Sequence, residues 1–121
     1  MRALRLHRPP RGLPLGILNE YPALRALHND PSAPWTVASL ANAAGASRAA
    51  LARRFNELVG EPPMSYLAGW RIALAADLLL EPGATVGSVA PKVGYGSSFA
   101  LSTAFKRIRG VSPQQHRLHA A

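Results

Sequence analysis

Cysteine is absent from this 121-residue chain, which excludes a disulfide framework and any zinc site built on thiolates. Acids are scarce, six Asp and Glu against fourteen Lys and Arg, and no two of them form an obvious acid/base pair. Long apolar runs are missing too. The run Leu74-Ala75-Ala76-Asp77-Leu78-Leu79-Leu80 is too short for a bilayer and contains a carboxylate. Residues 1–18 are basic but broken by Pro9, Pro10, Gly12 and Pro14, and hold no continuous apolar segment resembling a secretory signal. There is no Gly-rich phosphate loop and no Ser nucleophile elbow. His116 and His119 stand three apart, yet no carboxylate or Cys follows nearby in sequence to complete a metal site. These absences argue against an enzyme, a cofactor, a metal or a membrane partner, and lead to the expectation of a soluble cytoplasmic protein.

What is present is a duplication. The stretch Thr36-Val37-Ala38-Ser39-Leu40-Ala41-Asn42-Ala43-Ala44-Gly45 returns 49 residues later as Thr85-Val86-Gly87-Ser88-Val89-Ala90-Pro91-Lys92-Val93-Gly94. The second copy then gains one residue. Ser47, Leu51, Phe55, Gly60 and Pro63 are matched, 50 residues on, by Ser97, Leu101, Phe105, Gly110 and Pro113.

The spacing within each copy identifies the unit. Leu40 and Ala41 lie on one amphipathic turn, Gly45 follows four residues after Ala41, and Leu51, Phe55 and Leu58 recur at helical spacing. This is a helix-turn-helix: the small Ala41 admits a close crossing, and Gly45 can take the positive φ of a tight interhelical turn. Ala90, Gly94, Leu101, Phe105 and Ile108 take the same roles in the second copy.

The predicted fold is all-α, about seven helices, with two helix-turn-helix subdomains joined by a long linker helix. Residues 1–21 read as a flexible basic arm. Residues 22–80 read as the first subdomain with the linker helix, and 81–121 as the second. Pro22 opens the first helix, Thr36, Ser47, Thr85 and Ser112 are caps, and Ser97 or Gly96 starts the sixth helix. Pro62 or Pro63 opens the linker helix, which runs to about Leu80 with Tyr66, Leu67, Trp70, Leu74, Ala75 and Leu78 along an apolar stripe. Trp35 and Trp70 read as core or interface residues.

Charge follows the duplication. Residues 36–60 carry Arg48, Arg53 and Arg54 against Glu57, and residues 82–121 carry Lys92, Lys106, Arg107, Arg109 and Arg117 with no acid. The intervening residues 61–81 hold Arg71 against Glu61, Asp77 and Glu81. With an overall net charge of +8, two positive units around an acidic joint suit two phosphate-facing surfaces on one polyanion.

The run from Trp35 to Arg117 resembles the DNA-binding domain of AraC/XylS-type bacterial transcriptional regulators. The likeness rests on Val93-Gly94-Tyr95 with Ser97, Phe105-Lys106-Arg107, Gly110, Ser112-Pro113 and Arg117. It rests also on Trp35-Thr36-Val37, Arg53-Arg54-Phe55, Val59-Gly60-Glu61-Pro62-Pro63-Met64-Ser65-Tyr66-Leu67, and the linker pattern Trp70-Arg71 to Leu78-Leu79. The resemblance implies base contacts from Ala49, Ala52 and Arg53 in the first unit and from Ser98, Phe99 and Thr103 in the second. Phosphate contacts fall to Thr36, Arg48, Asn56, Ser97, Lys106, Arg107 and Arg117.

Of the base-facing set in the first unit, only Arg53 can pair bidentately with guanine, while the alanines can touch thymine methyls. Phe99 and Thr103 stand where the family often has a long polar residue and an Arg, so the second unit is expected to hold mainly phosphates. Pro91 and Gly87 are expected to weaken the fifth helix. Arg109 and His116, where the family usually has aromatics, are expected to loosen the second core.

Family members of ordinary length carry an effector and dimerisation domain that residues 1–34 cannot hold, so a monomeric domain is expected. Its expected partner is double-stranded DNA, with RNA polymerase a second candidate. A rigid linker helix would set the two insertions about one DNA turn, roughly 34 Å, apart. The alternative is a protein-interaction module that keeps the fold with degenerate DNA recognition.

Overall fold

The computed structural model describes residues 20–120, which form seven helices and, among the described residues, no strand. They are α1 (Pro22–Asn29), α2 (Val37–Ala44), α3 (Arg48–Val59), α4 (Pro63–Leu78), α5 (Val86–Lys92), α6 (Ser98–Arg109) and α7 (Pro113–Ala120). The duplication in sequence is first a duplication of caps. Thr36 Oγ1 accepts from the Ser39 N–H at 3.0 Å while Ser39 Oγ accepts from the Thr36 N–H at 2.9 Å. Thr85 and Ser88 repeat this reciprocal box before α5 at 2.9 and 3.0 Å. Ser47 and Ser97 accept from Ala50 and Ala100, each at 3.1 Å. Each cap satisfies an N–H that the first turn of a helix cannot pair internally, and is worth about 1 kcal/mol.

The chain divides into two compact units between Ala68 and Gly69, inside α4. In the first, α1 packs on α2 and α2 on α3. Leu24, Leu27, Leu40, Leu51 and Phe55 are buried there, each contributing roughly 1.5–3 kcal/mol by leaving water. Phe55 lies between Tyr21 and Tyr66, each ring centroid 5.8 Å from its own. Half-buried Tyr21 thus lies against this core, while residues 1–19 of the arm expected over 1–21 lie outside the described ones. The Tyr66 hydroxyl hydrogen-bonds His28 Nε2. Burial, with a smaller effect from the Glu61 carboxylate, pushes the Tyr66 phenol far above its ordinary range.

In the second unit α4 buries Ile72, Ala75 and Ala76, and Leu79 just past its end continues the same face at i+7. These residues share one core with Val89, Ala90, Val93, Leu101, Ala104 and Phe105. The expected first subdomain, residues 22–80, thus includes residues that lie in this second core. The second half of α4 buries its apolar face with α5 and α6, so the division falls twelve residues before the expected one at 80. α4 also stops at Leu78, short of Leu80, with Leu79 buried and Leu80 exposed just past its end.

α7 repeats the opening of α4. Pro113 answers Pro63, and His116 answers Tyr66, at the same offset that relates Phe105 to Phe55. Accordingly the His116 ring packs on Phe105 with centroids 5.4 Å apart, and its Nε2 hydrogen-bonds the Ala76 carbonyl at 2.8 Å. The Arg109 guanidinium carbon lies over the Phe105 ring, 5.9 Å from its centroid. Phe105 is fully buried, so these two residues cover it where aromatics were expected. Ile108 differs from its expected role: Leu101, Ala104 and Phe105 fill the inward face of α6, and Ile108 remains 37% exposed. Pro91 falls in the last turn of α5, exposed, with its missing N–H near the helix end, and α5 is one residue shorter than α2.

Candidate nucleic-acid interface

The core positions of α3 and α6 determine what faces outward. With Leu51 and Phe55 buried, Arg48, Ala49, Ala52, Arg53 and Asn56 are all exposed. With Leu101, Ala104 and Phe105 buried, Ser98, Phe99, Thr103, Lys106 and Arg107 are exposed and Ser102 is half-buried. Positions 49, 52, 53 and 56 lie at i, i+3, i+4 and i+7, and so do 99, 102, 103 and 106. Each set therefore shares one helix face. Of the residues proposed from sequence to meet a base, Ala49, Ala52, Arg53, Phe99 and Thr103 stand on these faces and Ser98 is exposed at the first position of α6, each within the first half of the second helix of its pair. That is the part of a helix-turn-helix that enters a major groove.

Arg53 is held loosely. Its Nη1 lies 3.9 Å from Glu57 Oε2 on the next turn, and its side chain is 70% exposed, so the pair is a long, screened contact that a duplex could replace at little cost. Thr36 and Ser97 are exposed but already serve as caps, their oxygens accepting from Ser39 and Ala100. Arg117 uses Nη1 to donate to the Ala84 carbonyl at 2.7 Å, which ties α7 to the segment before α5 and leaves its other donors available. Arg54 is exposed, and its charge acts on the Tyr21 phenol, opposing the larger upward push of burial there.

One supporting residue is not apparent from motif spacing. Gly94, at φ 95, turns the chain from α5 toward α6, and a Cβ built on it would lie 2.8 Å from Arg71 Nε. Arg71 is half-buried and its guanidinium carbon sits 5.8 Å from the Tyr95 ring centroid. Burial lowers the Arg71 pKa and raises that of Tyr95, while each residue's charge partly offsets the other's shift. Arg71 thus fills the space that a side chain at the turn would need, and fixes the approach to α6. In sequence it reads as the single base in an acidic joint and as part of the linker pattern begun by Trp70; no spacing links it to Gly94.

Among the described residues no group of three or more His, Cys, Asp or Glu is placed to hold a metal ion, and no helix is long and apolar enough to cross a membrane.

Two capped helix pairs, each presenting an exposed second helix, define a tandem helix-turn-helix protein. The family model described as a helix-turn-helix domain matches residues 40–119. The chain is 54% identical over 97 residues to a Streptomyces lividans protein named as an AraC-like transcription regulator, covering 80% of this chain and 32% of that protein. It is 43% identical over 95 residues to the transcriptional regulator AlkR of Acinetobacter baylyi, covering 78% and 31%. The chain spans about a third of the length of these relatives. Among solved structures, the DNA-binding domain of the global transcriptional factor AdpA in complex with a target DNA matches with TM-score 0.73 and 33% identity, covering 84% of this chain and 90% of that one. The C-terminal domain of the response regulator AraT of Geobacillus stearothermophilus matches with TM-score 0.78 and 30% identity, covering 90% and 88%. The chain belongs to the AraC/XylS family of helix-turn-helix transcriptional regulators and corresponds to its DNA-binding domain.

Proposed function

We propose that this chain binds double-stranded DNA sequence-specifically as a transcriptional regulator's reading domain, presenting α3 and α6 to successive major-groove segments. The observation that carries this reading is the outward face of those two helices: short or basic side chains, and Phe99 on α6, are exposed at groove-entering positions, while Leu51, Phe55, Leu101, Ala104 and Phe105 of the same helices are buried. Arg53 is the principal base reader, paired with guanine. Ala49 and Ala52 sit beside it against thymine methyls, and Arg48, Asn56 and Thr36 hold the flanking backbone. In the second unit Lys106, Arg107 and the free donors of Arg117 supply phosphate contacts, with Ser97 at the start of α6. One chain occupies one site as a monomer, and contact with RNA polymerase belongs to the longer regulator's action.

Selection of sites from a random duplex pool tests this reading, and an enriched motif is expected. Affinity for that motif should fall steeply with salt, with a log–log slope near −0.9 for each neutralised phosphate. Binding with no enriched sequence would instead support a module whose DNA recognition is degenerate.

A further inference from the structure

Phe99 is 79% exposed, more than any other large hydrophobic residue among those described. It contributes almost nothing to the core, and it occupies the second position of α6, the helix whose start would meet DNA. Beside it lies a concavity of about 520 Å³, lined by Phe99, Ser102, Thr103, Lys106, Arg107 and Pro113 among others. Its wall is almost wholly apolar, with Lys106 and Arg107 among the residues that line it. No acid occurs anywhere in residues 82–121 to oppose a polyanion there.

The chemistry of this surface narrows its ligand. Guanine is read by Arg or Lys, and adenine by Asn or Gln; the four positions 98, 99, 102 and 103 carry Ser, Phe, Ser and Thr. None offers a bidentate donor or acceptor set. The apolar group that a major groove displays is the C5-methyl of thymine, which apolar side chains and the Thr methyl contact. Phe99 and Thr103 are four apart on one helix face, about 5–6 Å between Cβ atoms, which spans one or two base steps of 3.4 Å. Lys106, one turn further on, continues the same face with a charge suited to the adjoining phosphates.

We infer that α6 reads pyrimidine C5-methyl groups: the Phe99 ring and the Thr103 methyl recognise thymine, and accept 5-methylcytosine, through contact with the methyl alone. This inference rests on the DNA-binding reading above and sharpens it, because it gives the second unit a sequence preference without any hydrogen-bonded base pair.

The test uses the whole chain and the selected duplex, with each thymine replaced singly by deoxyuridine, which removes only the methyl. One or two positions in the half-site read by α6 should lose about fourfold in affinity each, the effect of burying one such carbon. Phe99→Ala should weaken the parent duplex and abolish the thymine–uracil difference at one of them; Thr103→Ser, which keeps the hydroxyl, should abolish it at the other. Placing 5-methylcytosine in a cytosine-substituted site should recover affinity relative to plain cytosine. Deoxyuridine tolerated throughout that half-site, or a thymine–uracil difference unchanged in Phe99→Ala, would overturn the inference while leaving DNA binding intact. Absence of binding to any duplex would instead remove the underlying reading and the inference with it. Because the uracil series is measured on the unaltered protein, it decides the question even if a variant folds poorly.

Discussion

The two units use one plan with different chemistry. Around Phe55 the first unit places two phenol rings, Tyr21 and Tyr66, whereas around Phe105 the second places an imidazole and a guanidinium, His116 and Arg109. The outward faces diverge as well. Arg53 stands in the first unit where Thr103 stands in the second, and Ala49 where Phe99 stands. What the copies share is the part that makes a helix pair: caps, small crossing residue and central Phe. The surrounding residues are free to differ because neither the caps nor the crossing depends on them.

The largest expected effect probes the two cores. Phe55→Ala and Phe105→Ala should each cost roughly 3–5 kcal/mol, the usual loss for a buried Phe. The first should lose more, by about 0.5–1.5 kcal/mol, because its ring pairs add to area burial. Denaturant unfolding combined with hydrogen exchange in each unit would measure both, and equal losses would show that the imidazole and guanidinium support Phe105 as well as two phenols support Phe55.

Next is the reading face. Arg53→Ala should cost roughly 1–3 kcal/mol on the preferred site and relax selectivity at one base position. An equal loss on random and selected duplexes would reduce Arg53 to a phosphate contact. The reverse exchange sharpens the point: Thr103→Arg should create a guanine preference in the second half-site, read by repeating the selection with that variant.

The two turn glycines form the third contrast. Both adopt positive φ, 71° at Gly45 and 95° at Gly94, so alanine at either should cost about 1–2 kcal/mol. Only Gly94 has Arg71 in the way; Gly45 has nothing within 4 Å of the added Cβ. Gly94→Ala should therefore lower the melting temperature more than Gly45→Ala, and Arg71→Ala should reduce that excess in the double variant.

The smallest effect concerns Pro91, whose counterpart is Asn42. Pro91→Asn restores one backbone donor, worth about 0.5–1.5 kcal/mol, but frees the unfolded chain by about 0.4–1 kcal/mol. The two nearly cancel, and thermal melts should agree to within about 0.5 kcal/mol. A large stabilisation would show α5 to be strained by its Pro.

Much of this architecture was legible from the chain because it is written in local terms. Thr36 and Thr85 announce helix starts by their own side chains, Gly45 marks a turn by the φ it permits, and Leu51 and Phe55 reveal a face by spacing. Three features were not. The residues of α4 are apolar nearly all round, so periodicity could not say that Ile72, Ala75, Ala76 and Leu79 belong to the second core. Ile108 continues the spacing of Leu101 and Phe105, but Ala104 and not Ile108 completes the packed face. The dependence of Gly94 on Arg71 joins residues 23 apart, and no local rule carries that distance. For the site itself, spacing sufficed to separate outward from inward positions; which outward residue meets which base depends on the duplex.

The division inside α4 has a consequence for how such a protein can be cut or lengthened. The chain passes from one compact unit to the next inside a helix and not at a loop: Tyr66 lies against Phe55 in the first, and Ile72, Ala75 and Ala76 of the same helix lie in the second core. A fragment beginning at Glu81 would leave Val89, Leu101 and Phe105 facing water in place of Ile72, Ala75, Ala76 and Leu79, whereas one beginning at Gly69 retains that wall. An added residue within α4 would rotate Ile72, Ala75, Ala76 and Leu79 about 100° relative to the residues before it, because each residue of an α-helix turns by that amount. Loops elsewhere in the chain can absorb insertions. In α4 the count of residues is itself a structural parameter.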